Sequence, residues 1–207
     1  MTPTFLQYAG GFTGGPANTM VAALPVPATL GNLVVISCAG NPVGSISVSS
    51  PGFTTALQNS TFGQALMYKL AGPSEPANYT ITVSGSGGTL AGGWIIQEHS
   101  GVSDKVIQTV RSTSGSSSTK STPAIDAKFP CLGVSILAKG NSAVWDPTWA
   151  GVAGPYLGGV GEHKSSYKTF AVPPDVLGEV MTWTASNGVA VTNTIDLALF
   201  MAKPIYF

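Results

Sequence analysis

Of the 207 residues only 9% are charged, against roughly 25% in an ordinary globular protein, and nine basic residues balance nine acidic ones. No cluster of Lys or Arg supplies the footprint that a nucleic-acid backbone or an anionic membrane surface needs, so neither is an expected partner. No run of about 18 apolar residues is present, and the start Met1-Thr2-Pro3-Thr4-Phe5 lacks the basic region and apolar stretch of a secretory signal; membrane insertion is not expected, and synthesis in a cytoplasm is. So little charge gives weak colloidal repulsion, which suits a member of an assembly better than a free monomer.

Phe5-Leu6-Gln7-Tyr8 aligns with Val106-Ile107-Gln108-Thr109, the first sign of a repeat with a shift of about 100 residues. Asn32-Leu33-Val34-Val35-Ile36-Ser37-Cys38 is continuously apolar and predicts a central strand covered on both faces. In the repeat, Val34, Ile36, Gly40 and Asn41 align with Val134, Ile136, Gly140 and Asn141. Gln64 to Leu70 alternates with Leu66, Tyr68 and Leu70 inward, and Tyr79 to Ser84 alternates more cleanly, with Tyr79, Ile81 and Val83 on one face. Tyr68-Lys69-Leu70 falls on Tyr167-Lys168-Thr169, Ile81-Thr82-Val83 on Met181-Thr182-Trp183, and Trp94-Ile95-Ile96 near Ile195-Asp196-Leu197. The junction between halves is Gly101-Val102-Ser103-Asp104, too short to let two domains move freely.

Ser112 to Thr119 has the composition of a flexible linker, but it maps onto Ala9 to Gly15 and is read as a loop inside the second repeat. Cys131 to Leu137 predicts a second central strand, and Thr192 to Lys203 a closing strand with Ile195, Leu197, Leu199 and Met201 on one face. A period this long, present twice, is unlike the roughly 20–50 residue units of solenoids. It implies a duplicated half-fold with pseudo-repeats at about 4–101 and 105–203. With turns of Gly, Pro, Asn and Ser and no helical periodicity, the expected fold is an all-β, antiparallel, jelly-roll-like β-sandwich in a single domain, 1–207, with two abutting small sandwiches as the alternative. Cys38 and Cys131 are expected as buried thiols, although antiparallel pairing of their segments would let them face each other.

Chemistry is sparse. There is no Gly-x-Ser-x-Gly elbow, phosphate loop or His-Glu-x-x-His zinc helix, and no second Cys or nearby His gives either cysteine metal-ligand spacing. No catalytic residue, metal or cofactor is therefore expected. His99 and His163 each follow a glutamate, Glu98 and Glu162, but strand neighbours point to opposite faces. Nothing in the spacing of Glu98, Asp104, Asp146, Glu162 and Asp196 pairs two carboxyl groups for glycoside hydrolysis. Glu98 and Asp196, on the closing strands of the two halves, are read as pseudo-symmetric structural acids. The candidate ligand surface is Trp145, Asp146 and Trp149 with Tyr156, two tryptophans and a tyrosine able to stack on sugar rings while Asp146 fixes a hydroxyl. Against it, Trp149 aligns near Phe53 of Ser50-Pro51-Gly52-Phe53, where an aromatic after a turn plugs a sandwich edge. The apolar end Pro204-Ile205-Tyr206-Phe207 is read as docking into a partner through Tyr206 and Phe207.

The pattern Leu30-Gly31-Asn32-Leu33-Val34-Val35, Pro51-Gly52-Phe53, Tyr68-Lys69-Leu70-Ala71 with Tyr79 to Val83, and Trp94 to Val102 resembles β-sandwich virion proteins of bacteriophages, particularly those of phages infecting actinobacteria. The resemblance spans about Asn18 to Lys203. It implies a minor tail, tail-tip or fibre protein, or a capsid-decorating one, located in the virion and without catalytic residues. Its implied partners are other virion proteins, further copies of itself as a trimer or higher homo-oligomer, and a host surface glycan.

Overall fold

The computed structural model describes residues 1–13, 15–43, 45–61, 63–86, 88–112, 115–139, 145–152, 162–171, 176–185 and 191–204. The side chains at 41–43, 139, 145–146, 150–152, 162, 176 and 191–193 lie outside that description. Regular structure among the described residues is all strand. The first repeat holds β1 (Thr4–Phe12), β2 (Thr19–Ala23), β3 (Leu33–Val43), β4 (Ile46–Ser49), β5 (Thr54–Asn59), β6 (Gln64–Leu70), β7 (Asn78–Gly85) and β8 (Thr89–Ser100). The second holds β9 (Val102–Arg111), β10 (Gly115–Ser117), β11 (Thr119–Ser121), β12 (Ile125–Ala127), β13 (Cys131–Lys139), β14 (Trp145–Pro147), β15 (Ala150–Val152), β16 (Glu162–Phe170), β17 (Val176–Glu179), β18 (Thr182–Ala185) and β19 (Val191–Ala202).

The duplication is visible in strand order. The first half pairs β1-β8-β3-β6-β5 into one sheet and β2-β7-β4 into another. The second repeats the large sheet as β19-β13-β16-β15, with β9 and β10 both on β19 in the place of β1, and splits the small one into β11-β18-β14 and β12-β17. The serine-rich stretch is thus no tether, because Gly115 to Ser117 are zipped onto β19 and Thr119 to Ser121 onto β18. A single residue, Gly101, separates β8 from β9.

Cross-strand register fixes which positions are equivalent. Val35 lies opposite Tyr68 and Gln97, and Val134 lies opposite Tyr167 and Ala198. Val35, not Val34, is therefore the counterpart of Val134, one residue from the sequence alignment. Because side chains alternate faces, that slip matters: Val34 points into the first sandwich while Val134 points away from the second. Register also makes Gln7 the counterpart of Gln108, and each side-chain oxygen accepts a backbone N–H from the segment after β2 or within β12, at Val26 and Asp126.

Three cores result. Val34, Ile36 and Cys38 of β3 join Met67, Ile81, Val83 and Ile96 between the two sheets of the first half. Cys131 and Leu137 of β13 join Phe170, Trp183, Ile195, Leu197 and Leu199 in the second. The opposite faces of the same central strands, Leu33 and Val35 against Leu132, Val134 and Ile136, meet with Leu66, Val102, Ala198 and Phe200 in a third layer, where each of these nine side chains is fully buried. The continuously apolar runs of β3 and β13 follow from this double cover. The single two-sheet sandwich expected from the sequence is doubled: each half closes its own sandwich, and the large sheets pack back to back. Each large aliphatic side chain in the shared layer contributes about 1.5–3 kcal/mol by leaving water, which binds the halves into one body.

Cys38 and Cys131 belong to different cores, and both are free. β3 and β13 are in separate sheets, so the antiparallel pairing that would have let the thiols face each other does not occur. Burial pushes the Cys38 thiol up to about 12 and the Cys131 thiol up to about 11.

Candidate functional site

The shared layer is not wholly apolar. Ser37, Gln64, Gln97, His99, His163 and Ser165 are completely buried, and several of them hydrogen-bond between the halves. Ser37 Oγ lies 2.9 Å from His163 Nε2, Gln97 Nε2 donates to Ser165 Oγ at 2.6 Å, and Gln64 Nε2 donates to the Ile136 carbonyl at 3.3 Å. These contacts obey the pseudo-symmetry: Gln64 and His163 are equivalent, and so are Ser37 and Ile136, so one contact is made twice with different chemistry. The rings follow suit. His99 meets Tyr167 at 5.4 Å and 72°, and its counterpart Phe200 meets Tyr68 at 5.1 Å and 68°.

Gln97 Oε1 can only accept, so the 3.2 Å contact with His99 Nε2 places the proton on Nε2. The Nδ1 atoms of His99 and His163 find no hydrogen-bond partner among the described residues. Burial pulls His99 down to about 3, with Glu98 opposing, and His163 down to about 4. Both are neutral packing elements at ordinary pH. The sequence offered one signal for this layer: a polar residue, Ser37, inside an otherwise apolar central run.

Trp149 is only 5% exposed and belongs to the second core. Its ring packs edge-on against Phe170 at 5.7 Å, its Nε1 donates to Glu179 at 3.0 Å, and a Cβ on Gly133 would come within 2.7 Å of it. Gly133 therefore leaves the room that the indole fills. Trp149 presents no free ring face, which corrects its candidacy as a stacking platform, and register makes it the counterpart of Phe53. The resemblance extends to the neighbours. Lys69 lies 5.6 Å from the Phe53 ring centroid and pairs with Glu75 at 2.6 Å; its counterpart Lys168 lies 6.0 Å from Trp149 and pairs with Glu179 at 2.5 Å. For both glutamates burial raises the pKa, and the lysine together with neighbouring N–H donors more than offsets it, leaving each below the ordinary carboxylate value. Each is a clamp on the entry to β5 or β15.

Trp145 and Asp146 contribute backbone to β14, paired with β18, but their side chains are outside the description, as are Tyr156, Tyr206 and Phe207 altogether. Glu98 and Asp196 are not equivalent: Glu98 corresponds to Leu199, and Asp196 to Ile95. Glu98 accepts from Gln7 at 2.5 Å, Thr29 N at 2.8 Å and Asn32 at 2.7 Å, tying β1 to the turn before β3. Burial raises its pKa, and these donors more than compensate, leaving it low. Asp196, on the opposite face, is gripped by Arg111, Nε to Oδ1 at 2.5 Å and Nη2 to Oδ2 at 2.8 Å. Burial nevertheless leaves Asp196 above its ordinary value.

Among the described residues no group of three His, Cys, Asp or Glu side chains could hold a metal ion. Large apolar side chains reach solvent along β1 and β2, with Leu6, Tyr8, Phe12 and Val21 all exposed. Protein-family models, curated proteins and solved structures were all compared with this chain, and none matches.

Proposed function

We propose that this chain is a non-enzymatic structural protein of a bacteriophage virion, a minor tail, tail-tip or fibre component that assembles with other virion proteins and contacts the host surface. The observation that carries this reading is where the reactive side chains are used. Glu75, Glu98, Glu179, Asp196, His99 and His163 are each engaged in holding a loop, an edge strand or the layer between the halves. A scaffold with two sandwiches fused through a buried layer suits a particle that persists without repair. Low charge suits close subunit packing, where few ions need desolvating. The virion-protein pattern of the central strands and turns supports the same reading. Placement as a capsid decoration protein is the nearest alternative.

Immunogold labelling with an antibody raised against the folded chain, on phage particles purified from cultures carrying its gene, tests the proposal. Gold at the tail or its tip is the expected outcome, gold over the head selects decoration, and particles free of the chain by both label and mass spectrometry overturn the reading.

A further inference from the structure

We propose that β1 is the site at which two copies of this chain join, edge to edge and antiparallel about a two-fold axis through Gly10, so that the five-stranded sheets of both copies become one. This deepens the assembly reading above by naming a surface and its partner.

β1 ends the order of its sheet, bonded to β8 on one side only. Thr13 donates its backbone N–H to Gly92 O at 2.9 Å, and the register from Tyr8 to Phe12 is unbroken. Strand residues turn their backbone groups alternately to either side, so Phe12, Gly10 and Tyr8 present N–H and C=O to the open side. Among the described residues nothing bonds them there. A row of unpaired groups on a long strand is a template for another strand unless charge, proline or a cover blunts it.

The second repeat shows what a blunted edge looks like in this same fold. Its β9 carries Asp104 and Lys105, both exposed, and Arg111. Register places Arg111 where the first repeat has Gly10, and Asp196 where it has Ile95. β1 has no charge from Thr4 to Phe12 and no proline. Where the second repeat guards its edge with an ion pair, the first leaves a glycine.

The pattern around that glycine selects a second copy over a foreign strand. Tyr8, Gly10 and Phe12 share one face, and Tyr8 and Phe12 are 44% and 53% exposed. Turning β1 about a two-fold through Gly10 sets Tyr8 of each copy opposite Phe12 of the other, two aromatic cross-strand pairs, with the two glycines facing each other at the axis. Three residue pairs then exchange both of their backbone bonds. No like charges meet, because none is present. The same operation on β9, about Arg111, would set the arginines of the two copies directly opposite each other at the axis.

Three measurements test the pairing. Light scattering across a concentration series should show a species of twice the chain mass; a strict monomer up to millimolar concentration overturns the proposal. Gly10→Pro removes an outward N–H that the monomer does not use, so it should abolish the double-mass species while leaving circular dichroism unchanged, and a dimer that persists in a folded G10P overturns the site. Directly paired residues have Cα atoms about 5.5 Å apart, within disulfide reach. A mixture of Tyr8→Cys and Phe12→Cys proteins should therefore cross-link on mild oxidation, and neither alone should; equal cross-linking in the single variants overturns the register. A monomer that is nonetheless found in particles removes this interface and leaves the virion reading standing, whereas a dimer absent from particles does the reverse.

Discussion

His99 packs edge-on against Tyr167, a residue of the other half, with ring centroids 5.4 Å apart, while Phe5 stacks on the same tyrosine at 4.8 Å. The imidazole thus belongs to the layer that joins the sandwiches, and it sits there uncharged. Unfolded, both histidines titrate near the ordinary value of 6.5; folded, they titrate near 3 and 4. Below 6.5 the unfolded chain binds protons that the folded chain refuses, so stability is full above that pH and falls towards pH 4 and 3. With two groups the loss between pH 6.5 and 5 is about 3 kcal/mol. Urea midpoints measured against pH should show it, and His99→Phe, which installs the ring found at the equivalent Phe200, should remove about half of the slope.

Arg111 and Asp196 form a pair whose acid is wholly buried and whose base is one-third exposed. Arg111→Ala leaves the carboxylate without compensation and should cost about 3 kcal/mol, the lower end for a broken buried pair because water reaches the guanidinium side. Replacing both, with Asp196→Ile as in the equivalent Ile95, should recover most of that. Chemical denaturation of the two single variants and the double decides; additive losses would mean that the pair is not what holds β9 to β19.

Trp149→Ala empties the space between Gly133 and Phe170 and removes the donor to Glu179, for an expected loss of about 3–5 kcal/mol. Trp149→Phe should lose much less. Any glycan binding should be unchanged by the folded W149F variant, because the indole is not at the surface; glycan-array signal lost in W149F with its melting temperature intact would contradict the burial.

Cys38 and Cys131 should resist thiol reagents in the native protein, since both are buried and burial holds their thiols protonated. A colorimetric thiol assay should titrate neither cysteine until denaturant is added, and then both. Rapid native labelling of either would show that its core opens.

The strands themselves were legible. Gln64 to Leu70 and Tyr79 to Ser84 carry period-two patterns, and the structure places β6 and β7 there with Ile81 and Val83 buried as expected. The duplication was legible as well, because turns and central strands recur. What the alignment missed was a shift of one residue between Val34 and Val134. Two similar apolar runs align almost equally well one residue apart, so their comparison does not place such a slip, yet it decides which face a side chain takes. The doubling of the sandwich stood only as the alternative for a related reason. A central strand covered on both faces reads the same whether its second cover comes from its own repeat or from the other one. The Trp149 site looked like a ligand platform because two tryptophans near a turn carry no record of depth; Gly133, sixteen positions earlier and on another strand, is what buries the ring.

The layer between the halves has one more consequence. Where two separate copies of a protein meet about a two-fold axis, every residue on that surface must suit both sides of it, since a change on one copy is a change on the other. Covalent fusion lifts the constraint. Gln64 can reach for Ile136 while its counterpart His163 reaches for Ser37, and His99 can take an edge-on place that Phe200 fills across the way. Joined in one chain, the two faces became free to specialise, and the layer now holds chemistry that no symmetric interface could carry.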